Sequence, residues 1–88
     1  MFDFQKLQVY QKSKDYSTNI IKIINDNKFD RVVNDQLKRA SLSIMLNIAE
    51  GTARFTNKDK RNFMVIARGS CFECVAILEY LQEQNKID

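Results

Sequence analysis

Few side chains in this chain could do chemistry, and their spacing decides what each could do. The 88 residues include no histidine. Cys71 and Cys74 stand three apart inside a predicted helix. With no histidine and no second cysteine pair, a complete zinc site within one chain is not expected. Nor does this spacing describe a secreted disulfide framework. Both thiols read as small apolar residues, Cys74 the more firmly on the core side. Glu50 and Glu73 could be imagined as a metal pair, but carboxylate bundles complete such sites with Glu-x-x-His motifs, and that histidine is missing. No nucleophile stands at a recognisable spacing from a base, and there is no glycine-rich phosphate loop. The expectation is a protein that is not an enzyme and has no cofactor or metal.

The cations say more. The net charge is +3, and residues 38–68 carry seven Lys/Arg (Lys38, Arg39, Arg54, Lys58, Lys60, Arg61, Arg68) against Glu50 and Asp59. Residues 69–88 carry one Lys and four acids. A basic middle could attract phosphates, the acidic end of a neighbouring copy, or only water. Lys38, Arg54, Lys58, Lys60 and Arg61 are the candidate nucleic-acid contacts.

The elements that must position these groups are helices. With 44% apolar and 28% charged residues, no proline and two glycines, the chain suits one soluble helical domain over residues 1–88. It has no apolar run of membrane-spanning length and no signal-peptide core at its start, so the cytoplasm is expected.

Asp3 would cap a first helix from about Phe4 to Asn25, with Leu7, Tyr10, Ser13, Ser17, Ile20 and Ile24 in one stripe. After a polar break, Phe29 would staple and Asp30 would cap a second helix, Arg31 to Glu50. There Leu37, Ala40, Ser41, Ile44 and Ile48 share a face, and Gly51 would end the helix in the left-handed cap conformation. Asn47 lies one helical step beyond Ile44, where an unpaired amide is costly, so it should bond to another helix or subunit, or else locally. Leu42, Met45 and Leu46 fall outside the stripe and, with Leu78, are candidate oligomer contacts. Thr56 and Asp59 would open a third helix from Asn57 to about Gln84. Its seam is Phe63, Ala67, Ser70, Cys74, Ile77 and Leu81, with Gly69-Ser70 at a close crossing on helix two. The last turns of helix three, about 42 Å long, outrun the other helices, so cover by a second copy is expected there.

Gln36-Leu37-Lys38-Arg39-Ala40, Ser43-Ile44, Asn47-Ile48-Ala49-Glu50-Gly51 and Arg54 together resemble the signature of the four-helix-bundle family named for 23S rRNA intervening sequences. The likeness extends through Phe63, Ile66-Ala67, Gly69-Ser70 and Glu73, and back to Leu7, Val9-Tyr10-Gln11 and Lys12. It implies an all-α, up-and-down antiparallel bundle, here of three long helices with the fourth absent or truncated. It also implies a ring-like homo-oligomer, usually a pentamer, and an association with rRNA genes rather than a stated activity. Gln36, Arg39, Asn47, Glu50, Gly51, Gly69, Ser70 and Glu73 are the motif positions, with a structural role expected.

Two functions follow. One is a non-enzymatic oligomer associated with RNA through its basic surface, with sister copies and structured RNA or an RNA-binding protein as partners and no membrane. The other is an oligomeric scaffold for another protein, with no nucleic-acid role.

Overall fold

Three α-helices follow a short turn in the computed structural model, which describes residues 3–87, residue 3 through its backbone alone. The order is a 3-10 turn (Asp3–Lys6), α1 (Gln8–Asp26), α2 (Arg31–Thr52) and α3 (Asn57–Glu83). No strand occurs among the described residues.

The start of α1 departs from expectation. Periodicity alone carries the helix back to Phe4, with Asp3 as its cap. Instead Leu7, with ψ 131°, separates the 3-10 turn from a helix that begins at Gln8, so Asp3 does not cap it. Two contacts favour the break. Phe4 packs edge-on against Tyr10 with ring centroids 4.9 Å apart, and the Gln11 side chain donates to the Gln5 carbonyl at 3.0 Å.

The other two helix starts are capped as the residue types require. Asp30 accepts from the Val32 N–H at 3.0 Å. Thr56 Oγ1 accepts from the Asp59 N–H at 3.1 Å. Each satisfies a donor that a helix start leaves open.

α2 is the middle helix. It packs against both α1 and α3, whereas no Cα atoms of α1 and α3 come within 8 Å of each other among the described residues. Its buried residues are Leu37, Ala40, Ser41, Ile44, Ile48 and Gly51. They meet Ser13, Ser17 and Ile20 from α1 and Ala67, Ser70, Cys74 and Leu81 from α3. Small side chains on all three helices let the backbones approach closely.

Both glycines do something other than expected. Gly51 does not cap α2 in a left-handed conformation; no glycine has a positive φ. The helix runs on to Thr52, whose hydroxyl donates to the carbonyls of Ala49 (2.8 Å) and Ile48 (3.0 Å). Gly51 is buried because α3 starts against it. A Cβ there would lie 3.0 Å from Phe63 Cβ and 3.1 Å from Met64 Cε. Gly69 does not mark the close crossing with α2: a Cβ there would meet nothing within 4 Å. The crossing belongs to its neighbour, since Ser70 Oγ lies 2.8 Å from Ser43 Oγ.

The end of α3 is covered from within the chain. Leu81 is buried, while Ile77 and Leu78 pack half-buried on the core with Phe29, Val33 and Ile87. Helix length alone does not reveal this cover, because a turn supplies part of it. Asn85 takes φ 59°, its N–H bonds to the Gln82 carbonyl and that of Lys86 to the Leu81 carbonyl. This closing pattern ends the helix and redirects the chain, and Ile87 packs on the core.

Candidate nucleic-acid interface and apolar faces

The candidate phosphate contacts divide into two groups. Arg54, Lys58, Lys60 and Arg61 gather at the corner where α2 turns into α3, and all are exposed. Lys38 lies fourteen residues before the end of α2 at Thr52, about 21 Å along the axis. With Asp35, Arg39, Leu42, Ser43, Leu46 and Asn47 it lines an open groove of about 500 Å³ on the outer side of α2.

Within the corner, Arg54 is already engaged. Its guanidinium donates to Glu50 Oε2 at 2.8 Å and stands 4.6 Å from the centroid of the Phe63 ring. Cation–π contact and a charge-assisted hydrogen bond together hold it in place. Glu50 therefore pairs with Arg54, the residue one helical turn on. Among the described residues no carboxylate comes within ion-pair distance of Lys58, Lys60 or Arg61. Phe55, between Arg54 and the α3 cap, is 101% exposed.

Asn47 and Ser70, two of the motif positions, meet between α2 and α3. Asn47 Nδ2 donates to the Ser43 carbonyl (2.8 Å) and to Ser43 Oγ (3.0 Å), and Ser70 joins that same hydroxyl. The amide thus bonds within its own helix, and Ser43 relays it to α3. Gln36, Arg39 and Glu73 are exposed beside this network.

Of the candidate oligomer contacts, Leu46 is 55% exposed, Leu42 and Met45 are half-buried, and Leu78 packs on the core. A further apolar face lies on α3, opposite its core seam. Val65, Phe72 and Val75 are exposed there, Phe72 at 66%. They follow Arg61 and alternate with Arg68 at steps of four and three, a second stripe that the seam at Phe63, Ala67, Ser70 and Cys74 masks in the sequence.

Thiol chemistry is confined by burial. Cys74 is fully enclosed and Cys71 is exposed. Burial pushes the Cys74 thiol up to about 11, with Cys71 and Glu73 adding smaller repulsions. Burial likewise raises the Tyr16 hydroxyl, helped by Cys74 and then Cys71. A thiol held protonated is a poor nucleophile and a poor metal ligand. No group of three or more His, Cys, Asp or Glu able to hold a metal occurs among the described residues. No helix among them is long and apolar enough to cross a membrane.

The family model described as 23S rRNA-intervening sequence protein matches residues 5–88. The chain belongs to that family. No curated protein matches it, and no solved structure does. In this family member three of the signature positions fall on the α2–α3 contact: Gly51 under Phe63, Ser70 on Ser43, and Asn47 tied to Ser43.

Proposed function

We propose that this family member works by association and not by catalysis, as a homo-oligomer bound to structured RNA through the α2–α3 corner. The observation that carries the RNA reading is the cluster Lys58, Lys60 and Arg61, exposed and without carboxylate partners among the described residues. Such cations contact phosphates without reading sequence. The non-enzymatic reading rests on the titratable groups. Cys74 and Tyr16, whose protons burial holds more tightly than usual, lie in the core or pack against it.

The experiment is a titration with structured RNA at two salt concentrations, using the wild type and the Lys60→Glu/Arg61→Glu variant. Binding should be strong at low salt, weaken steeply as salt rises, and vanish in the variant while assembly persists. No wild-type binding at low salt overturns the RNA reading.

A second reading, an oligomeric scaffold for another protein, draws on the exposed Leu46, Val65, Phe72 and Val75. On that reading the charge reversal changes the solution mass, because the basic corner would pair with acids of a neighbouring copy such as Glu79 and Glu83, and RNA is irrelevant.

A further inference from the structure

We propose that Phe55 is a stacking platform for an unpaired nucleobase, with Lys58 and Arg61 taking the adjoining phosphates and Lys60 flanking them. The inference deepens the RNA reading above and rests on it.

Three observations carry it. The Phe55 ring is 101% exposed, more open than any other large apolar side chain described. It has no role in the core or the helix caps, so the fold does not account for it. The backbone that bears it is nevertheless pinned on both sides. The Ala53 N–H bonds to the Glu50 carbonyl, the Arg54 N–H to the Gly51 carbonyl and the Lys60 N–H to the Thr56 carbonyl, and Thr56 Oγ1 caps α3. The ring therefore stands on a fixed corner, and little ordering is needed when a planar partner covers it.

The surroundings select the kind of partner. From Arg54 to Asn62 the chain contributes no apolar side chain except Phe55, and four cations against one acid. A protein pocket closing over the ring would have to bury or skirt those cations without gaining apolar neighbours. A nucleobase on the ring, with its phosphates on the cations, uses both features, as single-strand binding surfaces do. Lys58 and Arg61 are three apart and share one side of α3. Arg54 is held by Glu50 and lies over Phe63, whereas the α3 cations have no carboxylate partner among the described residues. Because a base inside a duplex has no accessible face, the ligand must offer a loop, bulge or free end.

The test uses the full chain and two fluorescent RNAs of equal length, an oligouridylate and a perfectly paired duplex, at low salt. Wild type should prefer the single strand. Phe55→Ala should weaken single-strand binding about ten-fold and leave duplex binding unchanged, while Phe55→Trp retains it. Lys60→Glu/Arg61→Glu should weaken both. Phe55→Ala binding the single strand like wild type, with the charge reversal still losing both RNAs, overturns the stacking platform and leaves the RNA reading standing. Wild type binding neither RNA overturns both. An altered solution mass for Phe55→Ala with unchanged RNA binding makes Phe55 a protein contact and overturns the proposal.

Discussion

Gly51 of α2 lies directly beneath Phe63 of α3: a Cβ built on the glycine would stand 3.0 Å from Phe63 Cβ. Phe63 in turn carries the Arg54 guanidinium on its ring face. One close approach thus seats α3 on α2 and fixes the side chain that pairs with Glu50.

This relationship predicts opposite signs for the two glycine-to-alanine changes. Alanine is the better helix former by about 1 kcal/mol. At Gly69, where an added Cβ meets nothing within 4 Å, Gly69→Ala should stabilise by up to about that amount. At Gly51 the new methyl would press on Phe63 Cβ at 3.0 Å and on Met64 Cε at 3.1 Å. Overpacking of this kind costs about 1–3 kcal/mol, so Gly51→Ala should be a net destabilisation. Urea unfolding midpoints of the two variants decide the matter, and a stabilised Gly51→Ala would refute the close-approach account.

The Ser43 hydroxyl serves both Asn47 and Ser70. Ser43→Ala should destabilise by about 1–3 kcal/mol, because two partly buried polar groups lose a partner together. Ser70→Ala should cost less, and the double variant less than the sum of the singles. A double-mutant cycle by denaturant unfolding measures the coupling, and strict additivity would mean that the contact contributes nothing across the helices.

The Cys74 thiol supplies a pH dependence. Its ordinary value of 9.0 rises to about 11 in the folded protein. Below about 9 both folded and unfolded states hold the proton, and stability is unaffected. Between those values the unfolded chain releases the proton while the folded chain keeps it, so stability falls as pH rises. Tyr16, raised in the same direction, extends the loss at higher pH. Unfolding followed across this window should show the decline, and Cys74→Ala should flatten it although it lowers stability overall. In the native state a thiol reagent should modify Cys71 and spare Cys74.

The proposed self-association supplies a separate prediction for the outer face of α3. Val65→Glu and Phe72→Glu place charge on exposed positions, so each variant should fold with native helicity. If this stripe is the interface, the double variant should have a smaller solution mass at micromolar concentration, as read by sedimentation. Leu46→Glu applies the same measurement to α2. An unchanged mass in both the double variant and Leu46→Glu would remove both faces from the assembly.

Helix identity, the caps at Asp30 and Thr56 and the α2 core stripe were legible in the sequence, because each depends on neighbours within a few residues. The third-helix seam was legible for the same reason. Periodicity also named Ser70 and Cys74 as core residues. It missed the Phe4–Tyr10 packing that accompanies the break before α1, and it assigned a cap to Gly51 and a crossing to Gly69. Those roles depend on which backbone lies opposite, and i,i+3 and i,i+4 spacing within one helix carries no such information.

What the sequence determined by itself is that three amphipathic helices must form, with a basic stretch between two of them. Local propensity, capping chemistry and hydrophobic period act within single segments. Only tertiary structure decided that the Arg54 guanidinium lies over Phe63, that Lys58, Lys60 and Arg61 have no carboxylate partner among the described residues, that Cys74 is sealed, and that Leu81 near the end of α3 is buried within the chain. Exposure and desolvation are properties of groups brought together from distant segments, and they exist only once the chain has folded.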